Sequence, residues 1–510
     1  MPAARSRPAA ARSTPAPVWR SSATATSSSP ARCAATCAAR RGGFYPPHFT
    51  NPPAQFTKLP IYQPMPPDNL TQRHDRLERL RKLGLRRGAE QIRRQGTGVR
   101  GQGSAVSFQP PTSNLQPPAL PGEEAFTPFG PAWVRTARLP LGEYPELAAW
   151  LRVSRDALVA LGQDAALAAL EPARAVFLDT ETTGLSMDTG TYTFMIGVGT
   201  YEMSEETRFL REIGFLNGAF VVRQFFMRHP GEERAQLHLV EEALTGCGGL
   251  VSFNGRGFDV PLVQNRFVLA RMPVPLIGTP HLDLLPPARR VWRSRIGSCR
   301  LGNLEQHVLG VERTVEDVPG YLIPDIYRDY YRTGIVTEML ARVFYHNLMD
   351  ITSMPILAAL LTSRFEQDGL MARLAGLHPM ECASLGRCYV ALNWTNAGVA
   401  AYRAALAHDL GDAERAGVLR DLGYLLKRLE RWEEAAAVWE EWIGSIAGDD
   451  VTPYIELAKH HEWRTADLAA ARGWAAWALR IAEGWSSAAG RDEALTELRH
   501  RLERLERKLP

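Results

Sequence analysis

Ala175-Val-Phe-Leu-Asp-Thr-Glu-Thr-Thr-Gly-Leu185 is the stretch on which the fold turns. Ala175 to Leu178 is a short apolar run of the kind that forms a strand buried on both faces. It ends in Asp179 and Glu181, and strand residues two apart point to the same side. Carboxylates held that close repel each other unless a cation or a proton lies between them. A plain pair of surface acids at a strand end also explains a bare Asp-x-Glu, so the rest of the chain has to decide.

Downstream, Thr193 to Tyr201 and Phe220 to Met227 are β-like runs, Glu232 to Leu244 is an amphipathic helix, and Leu250 to Phe253 is another short apolar strand. Strands alternating with helices predict an α/β layered domain with a mixed sheet. The strand at Leu250 leads into Asn254-Gly-Arg-Gly-Phe-Asp259, whose glycines permit a tight turn and close approach of a ligand. Asp259 opens a helix over Val260 to Leu269, where a carboxylate is favoured by the helix dipole, so a helix cap is its plain explanation. Leu301 to Leu309 and Thr337 to Leu361 are predicted helices. The second carries Tyr345-His-Asn-Leu-Met-Asp350, in which His346 and Asp350 share a face and Tyr345 lies beside it. Pro145 to Leu170 reads as an Ala/Leu-rich helical lead-in. Arg289, Arg290, Arg293, Arg295 and Arg300 form a basic cluster, either phosphate contacts or a solvated loop.

The chain of 510 residues has a net charge of +4, but the first hundred residues carry 18 Lys+Arg against 4 Asp+Glu, which leaves the remainder net acidic. Bulk charge therefore does not make the body a nucleic-acid binder; local basic patches or metal ions would have to do so. Residues 1–67 hold no acid and are rich in Ala, Pro, Ser and Arg, a composition that predicts a disordered arm, with the whole arm set at 1–70. An organellar transit peptide and an overcalled start codon both account for it. Leu77, Leu80, Leu83 and Leu85 recur among arginines as a basic amphipathic helix, and Gly96 to Pro131 reads as linker. The six cysteines, Cys33, Cys37, Cys247, Cys299, Cys382 and Cys388, form neither a zinc framework nor a disulfide scaffold, so reduced thiols and a cytoplasmic location are expected. No apolar run approaches the length of a membrane span.

Taken in order, Asp-x-Glu, Asn-x-x-x-Phe-Asp and His-x-x-x-Asp resemble the three exonuclease motifs of the DEDD superfamily, which have a ribonuclease-H-like (DnaQ-like) fold. The first motif's extension to Asp-Thr-Glu-Thr-Thr-Gly-Leu makes the resemblance specific. Within the superfamily the chain looks most like the YprB (MrfB) group, on His281-Leu-Asp-Leu-Leu285, Cys299-Arg-Leu-Gly-Asn-Leu-Glu305, Leu309-Gly310 and Pro319-Gly-Tyr-Leu-Ile-Pro324. The resemblance implies a 3′→5′ DNA exonuclease over residues 123–365, active in repair on single-stranded 3′ ends, with a helicase companion. It implies two Mg²⁺ or Mn²⁺ ions held by Asp179, Glu181, Asp259 and Asp350, with His346 as general base. Thr182, Thr183 and Leu185 would meet the terminal nucleotide, and Asn254 and Phe258 would shape the groove. One departure touches the base. The histidine branch of the superfamily places it five residues before the last Asp and the tyrosine branch four, whereas here Tyr345 stands at minus five and His346 at minus four. The four-residue step keeps His346 on the Asp350 face. An RNA exonuclease and a non-catalytic scaffold are the alternative functions.

Residues 366–485 contain a repeat. Leu385-Gly386, Leu422-Gly423 and Leu457-Ala458 recur, each followed at twelve by a small residue (Gly398, Ala435, Ala470) and at sixteen by an aromatic (Tyr402, Trp439, Trp474). The pattern resembles tetratricopeptide repeats, so an all-α array is expected, as a protein-binding arm or a buttress. Residues 486–510 hold a charged helix that caps it. Basic helix and linker together occupy residues 71–122.

Overall fold

The computed structural model describes residues 119–184, 189–203, 218–311, 313–314, 317–446, 448–487 and 490–509. The expected N-terminal arm, the basic helix and Leu185 lie outside them. Seven strands form one mixed sheet: β1 (Glu123–Thr127), β2 (Gly130–Pro140), β3 (Ala175–Thr182), β4 (Thr193–Met203), β5 (Gly218–Phe226), β6 (Gly249–Ser252) and β7 (His281–Asp283), in the order β1-β2-β5-β4-β3-β6-β7. β3 is central, antiparallel to β4 on one side and parallel to β6 on the other. Its residues Ala175 to Leu178 are fully buried, as a two-faced core strand requires.

Helices cover both faces. On one, α2 (Glu233–Leu244) and α3 (Asp259–Leu269) pack Leu237, Val240, Val263 and Phe267 against Val176 and Leu178 of β3. On the other lie α1 (Arg155–Gly162), α4 (Leu285–Ile296) and the 26-residue α6 (Glu338–Ser363), with α5 (Ile323–Thr333) packing aromatic residues against its start. The approach of α6 to the sheet depends on two missing side chains. A Cβ at Gly197 would stand 2.2 Å from Ile351 Cδ1 and 2.3 Å from Asn347 Oδ1, and one at Gly199 2.7 Å from Ile351 Cγ2.

Several expectations need correcting. The lead-in 145–170 is helical as expected, but in short segments. It breaks into short turns around α1, because Ser154 caps α1 by accepting from the Ala157 amide and Gln163 ends it with φ +55°. The presumed linker up to Pro131 contains β1 and the start of β2, an edge hairpin whose half-exposed residues give no apolar alternation. The helix expected over Leu301–Leu309 is α-helical only to Leu304, then widens to a π-helical turn over Glu305–Leu309 that ends at Gly310 in the left-handed region. The arginine cluster is mostly helix: all but Arg300 sit on α4.

The C-terminal third is all helix: α7 (Pro379–Ala391), α8 (Thr395–Leu406), α9 (Asp412–Arg428), α10 (Trp432–Ser445), α11 (Thr452–His460), α12 (Leu468–Glu483) and α13 (Arg491–Lys508). Within the first two pairs, the small and aromatic positions of the repeat meet. A Cβ on Gly386 would fall 2.6 Å from the Tyr402 ring, and one on Gly423 2.4 Å from Trp439. The third copy is shifted: Ala471 is buried and Ala470 only half-buried, after a π-helical turn at His461–Thr465. Glu381 of α7, fully buried, accepts from Arg295 Nη1 of α4 at 3.1 Å and Arg364 Nε at 2.8 Å, joining this array to the sheet domain. No helix among the described residues is long and apolar enough to cross a membrane. Cys299, Cys382 and Cys388 are buried free thiols and Cys247 is a half-buried one.

Candidate active site

Three elements meet at one place. β3 brings Asp179 and Glu181, and a register irregularity between Glu181 and Thr182 ends its regular pairing with β4 there. The β6–α3 loop brings Asp259, and α6 brings Asp350 with His346. The loop is fixed by Asp283 at the end of β7, whose carboxylate accepts from the amides of Asn254 (2.8 Å), Arg256 (3.1 Å) and Leu285 (3.0 Å). Asn254 has φ +67°, and a Cβ on Gly255 would lie 2.4 Å from Ser252 Oγ, so the turn needs a glycine there. Asp259 is not a helix cap. Phe258 holds that position without a side-chain bond, and Asp259 Oδ1 accepts from Thr180 Oγ1 at 2.5 Å.

On α6, His346 and Asp350 do share a face, with Nε2 3.6 Å from Asp350 Oδ2. Nδ1 of His346 lies 2.7 Å from Asp317 Oδ1. Tyr345 is turned aside, packed on the core with its hydroxyl 3.5 Å from Thr314 Oγ1. The geometry therefore sets His346, not Tyr345, among the carboxylates. Between them on the helix, buried Asn347 donates from Nδ2 to Asp179 Oδ2 at 2.8 Å and accepts from Gln224 Nε2 at 2.9 Å.

Sequence reasoning missed Arg313. Its guanidinium bonds Asp350, reaches Glu305 at 2.5 and 2.8 Å, and lies 3.4 Å from Asp317 and 3.1 Å from His346 Nδ1. Glu305 is fully buried and also accepts from Ser353 Oγ at 2.6 Å. Arg313 and Asp317 stand four apart and pair with each other, but the partners that draw them to the site are up to 37 residues away. Glu305 stood in a motif already noted, but its burial was not apparent from the sequence.

Burial and mutual repulsion set the charge state. Asp179 is raised well above the usual carboxylate range by burial, then by Asp350, Asp259 and Glu181. Burial likewise lifts Glu181 to about 8, against the counter-pull of His346 and Arg313. Asp259 is lifted to about 6 by burial, with the Thr180 hydrogen bond opposing. Burial would lower His346, but Asp350, Asp317 and Glu181 raise it to about 9.

This donor set fits hard divalent cations. Four carboxylates converge, three of them are pushed toward protonation by burial and by one another, and Glu181 has no hydrogen bond to any described residue. Among the described residues, no three His, Cys, Asp or Glu side chains close into a finished coordination shell. Asp350 is drawn to Arg313, Asp259 to Thr180 and Asp179 to Asn347. An open groove of about 620 Å³ leads to the acids, lined by Asp179, Asp259, Asp350, Asn254 and Phe258 together with Arg289, Arg293 and Arg300. Thr182 and Thr183 use their hydroxyls locally, on Gly184 O at 2.7 Å and the Tyr192 amide at 3.0 Å.

Residues 176–362 match the family model RNase_H_2 of the RNase H superfamily. The uncharacterized protein YprB of Bacillus subtilis (strain 168) is 31% identical over 340 residues, which cover 65% of this chain and 74% of that protein.

Proposed function

This chain belongs to the RNase H superfamily and, within it, to the family of YprB, and from that premise we propose that it is a divalent-metal-dependent 3′→5′ exonuclease acting on DNA. The observation that carries the reading is the meeting of Asp179, Glu181, Asp259 and Asp350, from three separate parts of the sequence, in one buried acidic pocket at the head of an open groove. These four residues would hold two Mg²⁺ or Mn²⁺ ions. When bound, such ions offset the charge of a scissile phosphate and make water a better nucleophile at neutral pH.

The chain's own groups supply the rest. Asn347 and Thr180 fix the rotamers of Asp179 and Asp259. Asp317 holds Nδ1 of His346 and Nε2 lies near Asp350; with the carboxylate charge that raises this imidazole to about 9 offset by cations on the acids, Nε2 would be free to take the proton of the attacking water. Asn254 and Phe258 shape the mouth of the site, and Thr182, Thr183 and Leu185 would meet the terminal nucleotide. A role in DNA repair with a helicase that exposes single strands accords with this chemistry. The helix pairs of α7–α12 are read as tetratricopeptide-like repeats presenting a surface to a protein partner.

A time course on 3′-labelled and 5′-labelled single-stranded DNA, with Mg²⁺, Mn²⁺ or chelator, tests chemistry, polarity and ion requirement together. The expected result is shortening from the 3′ end only, abolished by chelator and by Asp179→Ala. Activity that survives Asp179→Ala would belong to a contaminant and overturn the reading. Faster digestion of a matched RNA would replace DNA by RNA as substrate.

A further inference from the structure

Five arginines cluster between residues 289 and 300, and the fold divides them sharply. Arg290 is turned inward, its guanidinium bonded to the Leu161 carbonyl on α1. Arg295 is spent on buried Glu381. Arg289, Arg293 and Arg300 are exposed, make no ion pair with any described carboxylate, and line the same groove as Asp179 and Asp259. Arg289 and Arg293 are one helical step of four apart, so they stand on one face of α4, about 6 Å apart along its axis. That is on the order of the separation of successive phosphates in an extended strand.

Three unpaired guanidinium groups beside a nest of carboxylates are not placed there for stability. Three of the four acids line the same groove, yet none pairs with these arginines: Asp350 is taken by Arg313, Asp259 by Thr180 and Asp179 by Asn347. The body of the protein is net acidic and repels a polyanion. A strand whose end is to reach the acids therefore needs local compensation along its route, and guanidinium is the side chain suited to phosphate.

Building on the nuclease reading, we propose that Arg289, Arg293 and Arg300 bind the phosphodiester backbone of the substrate strand upstream of its reacting end, and so set its path and polarity in the groove. They contact phosphates, not base edges, so they act on any sequence alike. They are positioning residues: they hold the strand and touch no reacting atom.

The test is binding of a fluorescent single-stranded oligodeoxynucleotide to the full-length protein in the cleavage-silent Asp179→Asn background, titrated over NaCl concentration. Each lost phosphate contact to a single strand flattens the log–log salt slope by about 0.7, so the triple Arg289→Ala/Arg293→Ala/Arg300→Ala variant should lower it by about 2. The triple Arg→Lys variant should restore the slope. Arg472→Ala, on the far helical array, should leave it unchanged. In the parent enzyme the triple alanine variant should raise KM far more than it lowers kcat. A slope equal to the parent's overturns the proposal while leaving the nuclease reading intact. A parent that neither binds nor cleaves any oligonucleotide overturns both. Circular dichroism melting of the triple variant separates loss of the groove from loss of the fold.

Discussion

Asn347 Nδ2 donates a 2.8 Å hydrogen bond to Asp179 Oδ2, joining two residues 168 positions apart. The same amide accepts from Gln224 of β5, so one side chain ties α6 to two strands and orients a carboxylate of the site. Replacing Asn347 by Ala should cut turnover by about 10- to 100-fold, as for other residues that orient metal ligands. It should also destabilise by about 1–3 kcal/mol, because it leaves Gln224 unpaired on one side in the core. Steady-state kinetics and urea unfolding of the same variant measure the two losses separately.

Gly197 lets that contact form. Alanine there would press on Ile351 Cδ1 and Asn347 Oδ1 at 2.2–2.3 Å, so these side chains, or α6 with them, must shift. The expected cost is about 1–3 kcal/mol of stability, with a loss of activity beyond what the stability change explains. Denaturant midpoints and kcat at a temperature where the variant is fully folded would show it. Wild-type kcat would mean that α6 tolerates the displacement.

The charge state of the acids predicts a pH dependence for the ion-free protein. Glu181 at about 8 and Asp259 at about 6 both lie above their values in the unfolded chain. The folded state therefore binds more protons across this range, and stability falls as pH rises from about 4.5 toward 8. Glu181→Gln removes part of this slope, so its advantage in melting temperature over the parent should grow with pH in chelator. Added Mg²⁺ or Mn²⁺ should raise the parent's melting temperature, and do so most at the alkaline end. A parent and variant that melt in parallel from pH 5 to 8 would sink the argument.

Glu305 and Arg313 are a buried charged pair beneath the site, with Glu305 fully enclosed. Arg313→Met alone should destabilise by about 3–5 kcal/mol, since it strands that carboxylate in the interior. The double Arg313→Met/Glu305→Leu variant should recover much of the stability but not the activity, because His346, Asp317 and Asp350 still lose their shared partner. A thermodynamic cycle over the four proteins measures the coupling.

Much of the sheet domain was readable from the sequence because burial leaves a periodic trace. The apolar run before Asp179, the strand before Asn254 and the helix spacing of His346 and Asp350 all appear where expected. The edge hairpin β1–β2 was not, since an exposed edge strand needs no alternation. Arg313, Asp317 and Asn347 were missed for a different reason. Arg313 and Asp317 pair at a spacing of four, yet the partners that bring all three residues to the site, His346, Asp350 and Asp179, lie 29 to 168 positions away. The arginines of α4 show the intermediate case: the cluster was visible, but which of them face the groove depends on Glu381 and Leu161, both far along the chain.

Glu381 has one further consequence. It receives Arg295 from the helix that walls the groove and Arg364 from just beyond the end of α6, while sitting in the first turn of α7. A chain cut after residue 365 would not yield a free-standing enzyme with a clean surface. It would leave two arginines without their shared carboxylate and bare the seam that covers Phe365 and Ala288. Through Arg295 of α4, the helical third is thus part of what holds the groove wall in place.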